Sequence, residues 1–102
     1  MNIYLDVEDA AVNDPFKRVA RSLVSEIFGD DSRVVAITIE LAPAGKQWAV
    51  TLRIRTICPA LIEVETREDS AAVAARQALR KAHRSVERAS RRQAAPLATA
   101  RA

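Results

Sequence analysis

Two hydrophobic periodicities, in a fixed order along the chain, constrain the fold of this 102-residue sequence more than any other feature. Four segments alternate apolar and polar residues, which predicts strands that each bury one face. Two other segments repeat apolar residues at helical spacing, which predicts amphipathic helices. The predicted order of elements is β-α-β-β-β-α.

The strands follow from the alternating segments. In the first strand Ile3, Leu5 and Val7 are the inward residues. In the second strand every other residue from Val35 to Leu41 is expected to face the core, and Ala42-Pro43-Ala44-Gly45 is expected to be a turn. The predicted spans of the last three strands are Val34–Leu41, Gln47–Ile57 and Leu61–Thr66.

The first helix is predicted to begin at Asp14-Pro15 and to end at Gly29, since Asp caps free N–H groups, Pro fits the first turn and Gly closes a helix. The second helix is predicted from a cap at Ser70 to about Arg92. Spacings of three and four residues define an apolar seam along the second helix, consisting of Ala72, Ala75, Leu79, Ala82, Val86 and Ala89.

These elements define an α+β fold with two layers. A right-handed β-α-β crossover makes the first two strands parallel, and the two short connections make the later neighbours antiparallel. Because each strand has one apolar face, both helices are expected on one face of a four-stranded mixed sheet. We expect residues 1–92 to form a single domain and residues 93–102, which include Pro96, to form a flexible tail.

Charge is distributed very unevenly. Residues 1–69 carry eight basic and twelve acidic groups, whereas residues 70–102 carry eight basic groups and one acid, Glu87. A basic block on an acidic body favours a polyanionic partner, although a merely solvated helix face has the same composition. The residues expected to contact phosphate are Arg76, Arg80, Lys81, Arg84, Arg88, Arg91 and Arg92, supported by Lys17, Arg18 and Arg21 on the first helix.

The sequence offers little for catalysis. The single histidine, His83, lies among basic residues, and Glu87 is expected to lie near Arg84 and Arg88 rather than to orient it. One histidine and the lone Cys58 do not make a metal site, and the two glycines form no phosphate-binding loop. We therefore expect no enzyme, no catalytic or metal-binding residues, no cofactor and no small-molecule substrate.

Nothing in the sequence favours a membrane or export. No segment has the ~20 apolar residues that a span requires, and the N-terminus is acidic rather than basic. A single cysteine agrees with a reducing compartment, so we expect a cytoplasmic protein.

The final helix resembles that of the ribosome hibernation promoting factor family, also called the ribosome-associated inhibitor or sigma-54 modulation family. The resemblance covers roughly residues 1–92 and is carried by the element order and by the segment from Glu68 to Arg88. In that segment Lys81, Arg84 and Arg88 fall on the family's basic positions. Its apolar positions are taken by Ala75, Leu79, Ala82 and Val86. The aromatic that the family usually has near the start of this helix is alanine here.

The resemblance implies binding rather than catalysis. Such proteins lie on the small ribosomal subunit near the decoding centre, overlap the positions of mRNA and tRNA, and keep idle ribosomes inactive under stress. It therefore implies a bacterial, cytoplasmic rRNA-binding factor, for which we favour a monomer. The alternative is a protein-interaction module whose last helix binds an acidic partner or self-associates along the alanine seam.

Overall fold

The four strands form one sheet in the order β1-β2-β3-β4, with β1 and β4 at the edges. A computed structural model describes residues 2–7, 13–57 and 61–101 of the chain, without the side chains at 13 and 92–101. The elements are β1 (Asn2–Val7), α1 (Asn13–Ile27), β2 (Val34–Ala44), β3 (Gln47–Thr56), β4 (Leu61–Glu68) and α2 (Ala71–Arg101). The predicted order and the α+β class are confirmed.

The pairing of the strands agrees with the topology expected from the connections. Strands β1 and β2 are parallel, and the β2–β3 and β3–β4 pairs are antiparallel. Both helices pack on one face, where Leu23 and Val24 of α1 and Leu79 and Val86 of α2 join the inward residues of the strands in one core. The opposite face of the sheet is open to solvent.

Strand β2 departs from a simple alternation at its start. The register shifts between Val34 and Ala36, so Val34 is buried while Val35 is 38% exposed. The expectation that Val35 faces the core is therefore wrong, because an extra residue at a bulge moves the side chains before it to the other face. From Ile37 onward the predicted inward residues are buried.

The β2–β3 hairpin is tighter than predicted. Residues 42–44, expected as part of a turn, continue β2, and Ala44 pairs with Gln47. Only two residues remain for the turn, and Gly45 takes the positive φ of 64° that such a short connection requires.

The helix ends largely follow the predicted capping residues. Gly29 has a φ of 57° and its N–H donates to the carbonyl oxygen of Ser25, so it ends α1 as expected. The Ser70 hydroxyl accepts a 3.4 Å hydrogen bond from the N–H of Val73 at the start of α2. Helix α2 ends later than predicted, at Arg101.

Some sequence predictions fall outside the described residues. Cys58 is among these, because residues 58–60 are not described. The flexibility expected of residues 93–102 also stays a prediction, because the side chains there are not described.

Candidate nucleic-acid interface

Helix α2 is held close to the sheet by a stripe of small side chains. Ala74, Ala75, Ala78 and Ala82 have no exposed surface. Alanine at the contact lets a helix approach its neighbour more closely than a larger side chain does. The seam predicted from the sequence is confirmed at Ala75, Leu79, Ala82 and Val86, all of which are buried.

The seam prediction is wrong at its first residue. Ala72 is exposed and lines a shallow notch with Pro15 and Val19 of α1. Ala74 and Ala78 are buried in addition to the predicted residues. Ala75, Leu79, Ala82 and Val86 are covered within the domain, whereas Ala72 is exposed. Self-association through this helix stays a prediction.

Thr66 adds a polar contact that the hydrophobic pattern did not predict. Its side chain is 6% exposed, and its hydroxyl donates a 2.7 Å hydrogen bond to the carbonyl oxygen of Ala74. The bond fixes the first turns of α2 to β4, and it therefore sets the direction in which the rest of the helix leaves the sheet.

Five basic side chains occupy the side of α2 that faces away from the sheet. We call them the basic strip, and they are Arg80, Lys81, Arg84, Arg88 and Arg91. All five are exposed, and none forms a side-chain hydrogen bond or ion pair with another described residue. Their charge is therefore available to an external anion.

Arg76 belongs to a different environment. Its guanidinium lies 3.5 Å from the carboxylate of Glu26 on α1, so the two residues form an ion pair between the helices. Both side chains are partly exposed, and such a pair contributes at most about 1 kcal/mol to stability. An internal carboxylate beside Arg76 nevertheless lowers the charge that this residue offers to a ligand.

Glu87, the acid within the basic segment, lies beside the basic strip and lines a notch together with Arg91. Its carboxylate lies 3.8 Å from Nε2 of His83, and its charge contributes to raising the pKa of Arg33. The His83 ring in turn packs edge-to-face on Phe28, with 5.3 Å between ring centroids. Among the described residues Glu87 has its ionic contact with His83 and none with Arg84 or Arg88, although a spacing of three residues keeps it beside Arg84 on the helix. The expectation that it lies near Arg84 and Arg88 stays a prediction.

The basic residues of α1 differ in their position around that helix. Glu26 marks the flank of α1 that faces α2, and at about 100° per residue Lys17 lies on the opposite side of the helix. Arg18 and Arg21 are exposed, the former nearer to the Glu26 flank. Whether these three residues contact a ligand stays a prediction. The side chain of Arg92 lies outside the described residues.

A basic residue that the sequence analysis did not single out lies beside the end of the strip. Arg33, in the loop before β2, lines a notch of about 390 Å³ together with Glu87, Ser90 and Arg91. Two hydrogen bonds to Asp31 hold its guanidinium, at 2.9 and 2.7 Å, and these bonds lower the pKa of Asp31. No helical or strand periodicity includes a loop residue, so only the fold reveals this placement.

The open face of the sheet has a different electrostatic character. Arg53 lies between two carboxylates, 2.5 Å from that of Glu40 and 3.3 Å from that of Glu63. These carboxylates raise the pKa of Arg53. Arg55 has no ionic or side-chain hydrogen-bonding partner among the described residues.

Metal ligands do not cluster within residues 2–7, 13–57 and 61–101. No group of three or more His, Cys, Asp or Glu side chains there could hold a metal ion. No helix in that part of the chain is long and apolar enough to cross a membrane.

Comparison with solved structures finds proteins of the same fold. A ribosomal subunit interface protein from Coxiella burnetii superposes with a TM-score of 0.78 at 10% identity, over 88% of this chain and 98% of its own. The N-terminal domain of Protein Y from Thermus thermophilus superposes with a TM-score of 0.73 at 20% identity, over 86% and 98% of the two chains. No family model and no curated protein matches the sequence.

These comparisons establish the fold of the chain. The chain is a two-layer α+β domain of the kind found in ribosomal subunit interface proteins and in Protein Y. The fold expected from the sequence resemblance is thereby confirmed over nearly the whole domain.

Proposed function

We propose that this protein is a ribosome-associated factor of the hibernation-promoting family and that its basic strip binds small-subunit rRNA. In this proposal the domain lies near the decoding centre, inhibits translation and preserves idle ribosomes in the stressed bacterial cytoplasm. It acts by occupying space and not by catalysis. The observation that carries the proposal is a row of five cations on one exposed side of a packed helix, none of them paired with another residue that the structure describes.

The spacing of the strip suits a phosphate backbone. From Arg80 to Arg91 the helix advances about 16 Å, which places one cation every ~4 Å of its axis. One strand of a duplex advances ~3.4 Å along the duplex axis per phosphate, so the strip covers the axial length of about five phosphates. Four of the five cations are arginines, whose planar guanidinium groups bind phosphate through two hydrogen bonds.

The fold supports the ribosome as the site of this RNA. The Coxiella protein that shares the fold is a ribosomal subunit interface protein. Contacts to phosphate position a protein without reading sequence, which suits the irregular backbone of rRNA. The expected partner is thus the small subunit, and binding as a monomer requires no contribution from a second copy.

Co-sedimentation with purified ribosomal subunits tests the proposal. The test variant reverses Arg80, Arg84 and Arg88 to Glu, and a control with the same net charge reverses Lys46, Arg55 and Arg67 on the sheet side. We expect the affinity of the test variant for the small subunit to fall by at least about a hundredfold, since each charged contact contributes on the order of 1.5 kcal/mol or more. The control should pellet like the unchanged protein.

Two outcomes would contradict the proposal. One is full binding of the test variant to the small subunit. The other is stoichiometric recovery of a protein partner, with no ribosomal subunit, after nuclease treatment of a pull-down. The second outcome would instead support an interaction module that binds an acidic protein through the same helix.

A further inference from the structure

The open face of the sheet contains a depression that the proposed RNA contact does not use. The depression measures about 440 Å³ and runs across all four strands near one end of the sheet. Its lining residues are Asn2, Tyr4, Val35, Ala36, Thr38, Arg53, Arg55 and Leu61. It lies on the side of the sheet opposite both helices, so a ligand there would not compete with one bound to the basic strip.

The shape follows from the sizes of the paired side chains. Ala36 and Thr38 on the inner strand β2 are short and form the floor. Tyr4 on β1, which pairs with Thr38, rises on one side, and Leu61 on β4 rises on the other. The bulge at the start of β2 adds Val35 to this face.

The walls of the depression are unusually apolar for an exposed surface. Tyr4 is 56% exposed, Val35 38% and Leu61 66%. They are three of the six large hydrophobic side chains exposed in the described part of the chain. Isolated exposed hydrophobic residues are normal, whereas a group of them around a concave surface indicates a binding site.

The charges around the depression select the kind of ligand. Arg53 is satisfied by Glu40 and Glu63, whereas Arg55 is exposed and has no ionic partner among the described residues. The exposed sheet face also carries Asp6 and Glu65, and Arg67 lies 3.4 Å from Glu65. One available cation within an acidic surface suits a single carboxylate, and the surrounding acids disfavour the repeated phosphates of RNA.

We propose that this depression binds a short acidic and apolar peptide segment of a partner protein. A carboxylate of the segment pairs with Arg55, and a neighbouring aromatic or aliphatic side chain packs on Ala36 between Tyr4 and Leu61. The domain then has two independent interaction faces, with RNA on α2 and a protein on the sheet. The existence of the second face does not depend on the proposed function.

Nuclear magnetic resonance titration of the full chain tests this inference. The probe is the blocked peptide Gln-Phe-Glu-Leu, which carries one carboxylate, and the matched control is Gln-Phe-Gln-Leu, which keeps the apolar groups but lacks the carboxylate. We expect the acidic peptide to shift the amide resonances of Tyr4, Ala36 and Arg55 in a saturable manner, and the resonances of Arg84 and Arg88 to stay unchanged. The neutral peptide should bind at least about tenfold more weakly, since a hydrogen bond between charged groups is lost.

Two variants separate the charge from the shape. Arg55→Gln removes the cation, and Ala36→Leu fills the floor while keeping the charge. Each variant should lower the affinity for the acidic peptide by about tenfold or more. Arg88→Gln should leave the affinity for the acidic peptide unchanged. The Arg55→Gln variant should still bind the small subunit, so a failure of this inference is distinguishable from a failure of the proposed function.

Four results would overturn the inference. One is the absence of peptide-induced shifts, and a second is a set of shifts that maps to α2 and not to the sheet. Saturable binding of oligouridine to Tyr4 and Arg55 would identify the face as an RNA site. Concentration-dependent shifts of the same resonances without peptide would identify a second copy of the chain as the occupant.

Discussion

In the proposed function, the number of phosphates that the basic strip neutralises determines how steeply ribosome binding depends on salt. The perturbation is the double variant Arg84→Gln with Arg88→Gln, which removes two cations that have no partner among the described residues. Its control is Arg76→Gln with Arg53→Gln, which removes two cations that are already paired with Glu26 and with Glu40 and Glu63. Both double variants change the net charge equally.

The magnitude follows from the release of counterions. The logarithm of the binding constant falls by about 0.7 to 0.9 for each phosphate contact per tenfold increase in salt. Five contacts therefore give a slope of about −3.5 to −4.5, or a loss of roughly 100-fold to 500-fold in affinity between 50 and 200 mM salt. Removing two contacts should reduce the slope by about 1.4 to 1.8, whereas the control should leave it within error.

The assay is fluorescence anisotropy of labelled protein titrated with purified small ribosomal subunits in a KCl series at constant Mg²⁺. Equal slopes for the two double variants would refute the reasoning, because net charge and not the exposed strip would then govern binding. A slope shallower than about −2 for the unchanged protein would also refute it, since fewer than three phosphates would then be contacted.

Three further predictions concern stability and are measured by urea unfolding. Thr66→Val should lower the free energy of unfolding by about 1 kcal/mol, because the bond to the backbone of α2 is lost. Ala82→Leu should lower the free energy of unfolding by about 1–3 kcal/mol, because the larger side chain overpacks the helix against the sheet. Ala72→Leu, at an exposed position, should change the free energy of unfolding by less than about 0.5 kcal/mol. Asp31→Asn should destabilise the protein near pH 6 and less so near pH 3. The bond from Arg33 lowers the pKa of Asp31 below 3.8, so its contribution is present above that pH and is lost on acidification through the lowered value. A constant difference between the two proteins across this range would contradict the last prediction.

The fold could be predicted because the sequence separates its two periodicities cleanly. From Ile37 to Leu41 the alternation places each side chain on the correct face, and Gly29 and Ser70 mark helix ends that the structure confirms. The start of β2 could not be predicted, since a bulge shifts the alternation without a distinctive residue to signal it.

The candidate interface was only partly predictable for a related reason. Helical spacing identifies which basic residues share a side of α2, but it does not identify their partners on other elements. The pair between Arg76 and Glu26 depends on how the two helices pack, and the position of Arg33 depends on a loop. Contacts between elements far apart in sequence require the tertiary structure.

The division of α2 into a buried alanine seam and an exposed basic strip has an evolutionary consequence. Substitutions in the strip alter the exposed charge while leaving the core intact, and conservative changes in the seam alter packing while leaving the exposed charges in place. Selection can therefore act on surface charge and on folding through separate sets of residues. An architecture of this kind is compatible with very different sequences, as the TM-score of 0.78 at only 10% identity illustrates.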